Sequence, residues 1–207
     1  MTVPCNVTTE HSVILASTSP RRRQILDLMG IIFEVIPSRA EEIPFAGENP
    51  VDFAGRAARD KAAEVSSRFP EQLVLGADTV VEIDGRILGK PKSSDDAKTM
   101  LRCLSGREHA VHTGLALVRN REIHCLVDTT LVRFLEVEDA AIDWYVASGE
   151  PMDKAGAYAV QGLGGLLVAG VNGSPSTVIG LPIHRLTELF ASHQVDLWDL
   201  LRSSHQS

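Results

Sequence analysis

Val13-Ile14-Leu15-Ala16-Ser17-Thr18-Ser19-Pro20-Arg21-Arg22-Arg23 is the stretch on which the fold turns. Four apolar residues in succession predict a short buried strand. Three hydroxyl residues then turn the chain. Ser19 before Pro20 is a helix start, because serine can cap a free N–H and proline at the first helical position has none to lose. Gly30 stands where that helix should stop.

The same grammar repeats downstream. Asn49-Pro50 opens a second helix running to about Arg68, and Ser93/Ser94 a third, with Ala97, Met100, Leu101 and Leu104 on one face. Leu73–Ile83 predicts one long strand or a strand pair reaching an Asp84-Gly85 turn, with Arg86-Ile87-Leu88 returning. Val111–Val118 and Ile123–Leu135 predict a hairpin around Asn120-Arg121. Val137–Ala147 predicts a helix. Leu166–Val171 and Thr177–Ile179 flank an Asn172-Gly173 turn, and Pro182–Ser192 closes with a helix. Helices and strands interleave without strict alternation, which predicts an α/β fold with a mixed sheet, in two lobes around a central cleft. No linker or repeat divides residues 1–207, so a single domain is expected, with 1–12 as a flexible N-terminal extension.

Composition narrows the functions. The chain has 207 residues, is 44% hydrophobic and 23% charged, and carries a formal net charge of −7. Such an acidic chain lacks the positive field that binding a nucleic-acid polymer requires. No apolar run approaches the roughly 18–20 residues of a membrane span, and Met1–His11 lacks the pattern of a signal peptide. Cys5, Cys103 and Cys125 form no C-x-x-C pair, which favours a reducing cytoplasm over a disulfide framework.

Against that acidic background, local basic clusters stand out. Ser17–Arg23 puts hydroxyls and three arginines at a helix N-terminus, where cations oppose the dipole unless an anion joins them. The competing reading is a solvated basic turn paired with nearby carboxylates. Lys61 falls in the middle of an apolar stripe of Val51, Ala54, Ala57, Ala58, Ala62 and Val65. It either reaches a cleft or snorkels to water; as a lone charge in an apolar stripe, its removal should leave the protein as stable or more stable. Asp78 interrupts the apolar strand run Gly76-Ala77-Asp78-Thr79-Val80-Val81: if buried, the carboxylate needs a metal, a cation or a catalytic task, and the competing reading is an edge strand with Asp78 facing solvent. Lys90, in Gly89-Lys90-Pro91, is either a phosphate cation or a surface lysine. The run is no P-loop, since Pro91 replaces the hydroxyl that would hold magnesium. His109 and His112 read as structural, and Cys103 as core.

Taken in order, Ser17-x-Ser19-Pro20-Arg21-Arg22, Lys61, Gly76-Ala77-Asp78-Thr79, Gly89-Lys90-Pro91, Leu104-Ser105-Gly106-Arg107 and Lys154-Ala155-Gly156-Ala157-Tyr158-Ala159-Val160-Gln161-Gly162 resemble the Maf family of nucleoside triphosphate pyrophosphatases, from about Val13 to Phe190. The resemblance implies a two-lobed fold similar to that of the inosine triphosphate pyrophosphatases. It also implies cleavage between the α and β phosphates with a divalent metal, Mg or Mn. In its terms Asp78 is the catalytic aspartate and, with Glu42, a metal ligand. Ser17, Arg21, Arg22, Lys61 and Lys90 bind the substrate phosphates, and Arg21, Thr79 and Gln161 set base choice. Thr after the Asp, with a late Ala-Tyr-x-x-Gln-Gly, resembles the branch acting on dTTP and UTP. A house-cleaning role linked to cell division, and a homodimer, are further implications. The rival expectations are a nucleotide-binding regulator of septum formation with little turnover, and a phosphohydrolase releasing orthophosphate.

Overall fold

The computed structural model describes residues 13–204; the expected N-terminal extension and Cys5 lie outside the described residues. In chain order the elements are β1 (Val13–Leu15), α1 (Pro20–Met29), β2 (Phe33–Val35), α2 (Pro50–Ser66), β3 (Leu73–Ile83), β4 (Arg86–Leu88), α3 (Ser94–Leu104), β5 (Glu108–Arg119), β6 (Glu122–Phe134), α4 (Asp139–Ala147), β7 (Val168–Asn172), α5 (Pro175–Ile179), α6 (Ile183–Ala191) and α7 (Leu197–Ser204). Short 3₁₀ turns occupy Glu150–Asp153, Ala155–Ala157 and Leu163–Leu167. The strands form one sheet in the order β2-β1-β3-β5-β6-β7, with β4 paired to β3. β1 runs parallel to β2 and β3, and the other pairs are antiparallel, so the sheet is mixed as expected.

Local chemistry accounts for the boundaries. Asn49 Oδ1 accepts from the Val51 N–H at 2.9 Å and Ser93 Oγ from the Asp96 N–H at 3.1 Å, capping α2 and α3. Gly30 ends α1 in the left-handed region, with φ 72°. Asn120 and Arg121 both take positive φ, as the two-residue hairpin between β5 and β6 demands. Three expectations fail. Thr177–Ile179 lies in a helix, α5, because Ser174-Pro175 acts as yet another helix start. Val51 lies outside the buried stripe of α2, at 36% exposure, because Pro50 and Phe53 take the inward side of the first turn. The Val137–Ala147 helix begins only at Asp139, after an extended Glu138. The three-residue β2 and the short α7 carried no readable period.

One face of the sheet is covered by α2, which meets Val74, Val80, Ala116 and Val118. The opposite face bears two separate cores. Leu73, Leu75 and Ala77 of β3, with Leu115 and Leu117 of β5, pack against α1, α6 and α7. Val81 and Ile83, with Val111, pack against α3 and α4. Alternation along the strands leaves Thr79 and Thr113, which are register partners, between the two cores. The two lobes are therefore two ends of one pair of long strands, and a polar seam crosses the strands between them.

Contact between α2 and the sheet is close enough to need glycine. A Cβ on Gly114 would lie 2.1 Å from the Ala54 carbonyl oxygen, and one on Gly76 would lie 2.4 Å from that of Ala58. Both obstacles are backbone, which no rotamer can move. Gly114→Ala should therefore push α2 off the sheet at a cost of about 2–3 kcal/mol, a fall of roughly 4–12 °C in Tm for a chain of this size. Thermal denaturation checks this, and an unchanged Tm would mean that the helix can retreat freely.

Candidate active site

At the C-terminal end of β1 the chain turns through Ser17, Thr18 and Ser19 into α1, and the mouth of a cleft opens beside this turn. The cleft has a volume of about 290 Å³. The segment between β2 and α2 lines one wall, and the 3₁₀ turns after α4 line the other. Ser17, Arg21, Arg22, Glu42, Lys61, Asp78, Thr79, Lys90 and Gln161 all line it, from seven separate parts of the chain.

Its centre is a buried ion pair. Asp78, on the α2 face of β3, is 6% exposed, and Lys61 is 7% exposed. Lys61 Nζ donates to Asp78 Oδ1 at 2.6 Å and lies 2.8 Å from Glu42 Oε1. The close seating of α2 on Gly76 and Gly114 allows this reach. Lys61 thus has two carboxylate partners and is not the unpaired charge that the helical pattern alone implied, which reverses the expectation for its removal. Burial would raise the Glu42 carboxyl, but Lys61, Lys90 and Arg22 outweigh it and hold the group below the usual carboxylate range.

Arg22 is the second organising group. It is 8% exposed. Its Nε donates to the Gly180 carbonyl at 2.8 Å, Nη1 to Ser17 Oγ at 3.0 Å and Nη2 to Thr79 Oγ1 at 3.1 Å. Burial lowers its pKa, opposed by Asp78 and Glu42, yet a guanidinium stays charged in any ordinary buffer. Arg22 therefore ties β1, α1, β3 and the end of α5 together around a fixed positive charge. Arg21 is more exposed and reaches Asp153 at 3.4 Å.

Several lining residues carried no role in the sequence. Asp153 and Lys154 form an ion pair at 2.5 Å, and Lys154 Nζ also donates to the Glu150 carbonyl at 2.6 Å. Tyr158 is buried, and its hydroxyl is 2.7 Å from His109 Nε2. His109 is structural, as expected; burial pushes it down to about 4, so it is neutral at ordinary pH. Cys103 is only half-buried, at the edge of the α3 core. Glu150 holds the segment after Gln161: its carboxylate accepts from the Leu163 and Gly164 N–H groups at 3.0 and 2.9 Å and from the Tyr145 hydroxyl at 2.9 Å. Only the run Lys154–Gly162, which stands out as a motif, pointed toward this wall.

Charge sets what the cleft can hold. Arg21, Arg22, Lys61, Lys90 and Lys154 face Glu42, Asp78 and Asp153, five cations against three carboxylates in a chain of net charge −7. The cleft is a positive site in a negative molecule, shaped for a small polyanion.

Residues 12–193 match the family model described as Maf-like protein. A dTTP/UTP pyrophosphatase of Myxococcus xanthus is 50% identical over 171 residues, covering 83% of this chain and 87% of that protein. One of Bacillus cereus is 42% identical over 187 residues, covering 90% and 98%. Among solved structures, the Staphylococcus aureus Ham1 protein shares the fold, with a TM-score of 0.50 at 14% identity, covering 89% of this chain and all of that one. With its family model spanning the whole sheet and the cleft, the chain belongs to the Maf family.

Proposed function

We propose that the chain is a nucleoside triphosphate pyrophosphatase that hydrolyses dTTP and UTP to the monophosphate and pyrophosphate. The observation that carries this reading is the buried Asp78–Lys61 pair at the centre of a cleft rich in cations. The dTTP/UTP pyrophosphatases that cover most of its length support the choice of substrate. No helix among the described residues is long and apolar enough to cross a membrane.

Asp78 is the base in this reading. Its Oδ1 is held by Lys61, which leaves Oδ2 to orient a water and accept its proton as the water attacks the α phosphorus. Arg21, Lys61 and Lys90 neutralise the phosphate chain, and Ser17 donates to it. Charge that develops on the bridging oxygen as pyrophosphate leaves is met by the same cations. Among the described residues there is no cluster of three His, Cys, Asp or Glu groups that could cage a metal. A magnesium-type site needs only one or two carboxylates, with substrate oxygens completing it. Glu42 and Asp78 fit that need, because Lys61 brings the two carboxylates side by side while contacting one oxygen of each. A divalent ion held there would supply Lewis-acid stabilisation of the leaving pyrophosphate. Gln161 lines the far wall, where its amide can pair with a carbonyl and the N3–H of uracil or thymine together.

Product analysis with dTTP and Mg²⁺ tests the reading. dTMP with pyrophosphate supports it; orthophosphate, or a tight complex without products, overturns it. Asp78→Asn should keep the fold, because the side chains are nearly isosteric, while turnover falls by about a thousand-fold or more, as it does when a base is lost with its charge. Turnover within a few-fold of the parent would remove Asp78 from the mechanism.

Lys61→Ala should now lose on both counts. It strands a buried carboxylate, so stability should drop by about 3 kcal/mol, the low end for a broken buried pair because the cleft admits water. Activity should fall by roughly ten- to a thousand-fold, as for other lost donors to developing charge. Denaturant unfolding and kcat/KM measured on one preparation check the pair of outcomes. A more stable variant would mean that burying the Lys61–Asp78 contact costs more than the contact returns.

A further inference from the structure

Two threonines, Thr79 and Thr113, face each other across β3 and β5 where both neighbouring layers are apolar. Valine would fill the same space, so the hydroxyls call for a reason. Thr113 is fully buried and does not line the cleft. Its Oγ1 lies 2.7 Å from the Thr177 carbonyl oxygen, which can only accept, so the Thr113 proton is spent there. Thr79 Oγ1 is 3.0 Å from Thr113 Oγ1. With the Thr113 proton already used, Thr79 must be the donor in that pair. Thr79 Oγ1 meanwhile accepts from Arg22 Nη2 at 3.1 Å. Its one proton points into the protein, and its remaining lone pair is what it offers the cleft.

On the other side of Arg22 the count comes out opposite. Ser17 Oγ accepts from Arg22 Nη1 at 3.0 Å and from the Ser19 N–H at 3.2 Å. Both its lone pairs are engaged, so its proton is free to donate. The Arg22 guanidinium thus separates a donor hydroxyl, suited to a phosphate oxygen, from an acceptor hydroxyl that repels one. The acceptor suits a ring N–H.

We propose that Thr113 is a positioning residue for base selection: by taking the Thr79 proton, it keeps Thr79 an acceptor toward the imide N3–H of uracil or thymine and against the bare N3 of cytosine. This rests on the reading of the cleft as a nucleoside triphosphate site, and deepens it. A mismatched acceptor pair in a desolvated site typically costs ten-fold or more in selection.

The test is the ratio of kcat/KM for UTP over CTP. Thr113→Val removes the acceptor for the Thr79 proton, which then turns to the cleft, and the ratio should fall about ten-fold or more. The loss should fall on UTP, whose N3–H then meets a donor, while CTP, whose N3 accepts, should hold its value or gain. Thr113→Ser restores the oxygen and should restore the parent ratio, which a purely structural role would not require. In a Thr79→Val background the second change, Thr113→Val, should lower the ratio no further. If Thr113→Val does not fold, Thr113→Ala deletes the same acceptor without adding bulk. A parent that fails to distinguish UTP from CTP, or a folded Thr113→Val protein with the parent ratio, would overturn the proposal. Should the parent release no pyrophosphate at all, the enzymatic reading fails on its own. The same comparison is then made by calorimetry as UMP over CMP affinity, with the same outcomes deciding.

Discussion

A carboxylate inside a β-sheet has to be balanced by a charge that the sheet cannot itself provide. Asp78 sits among apolar residues of β3, and hydrogen-bonded neighbouring strands offer it no side-chain cation. Lys61 supplies one from α2, and can do so only because Gly76 and Gly114 let the helix lie directly on the strands. The pair then fixes much else. It sets the height of α2, draws Glu42 inward from the segment before the helix, and makes the cleft floor a place where charges are held close and partly dry. An ion pair of this kind contributes little net stability. Its value is positional, since both partners are pinned where a phosphate chain would lie.

Arg22 does for the walls what Lys61 does for the floor. Three of its donors are committed to Ser17, Thr79 and Gly180, so the charge is delivered to the cleft by a group with little freedom left to lose. A preorganised charge costs little to reorient when a ligand arrives. The more exposed Arg21, Lys90 and Lys154 can adjust. The site therefore combines a rigid centre with an adaptable rim.

Much of this was legible in the sequence, for identifiable reasons. The helix starts at Asn49-Pro50 and Ser93 rest on side-chain caps, that at Ser19-Pro20 on the proline alone since Ser19 caps no N–H, and each lies where the sequence puts it. Asp78 and Lys61 stood out as charges in apolar patterns, and both are buried. That they face each other was not legible, because strand and helix periods say which face a residue occupies but not which faces meet. The same blindness made Lys61 look like an isolated charge. α5 was misread because a five-residue helix has less than two turns in which to show a period. The role of Thr113 depends on a chain of protons through Thr177, 64 residues away, and no local pattern encodes that.

The long strands also bear on how the molecule comes apart. β3 and β5 belong to both cores on the far face and to the α2 layer on the near one. Neither core can melt without unpairing residues that support the other, so the two cores should unfold together. Amide protons at the centre of these strands, around Asp78 and Gly114, should accordingly exchange only when the whole chain opens. Breathing of the cleft would be confined to its walls, the irregular segment that carries Glu42 and the 3₁₀ turns that lead to Gln161.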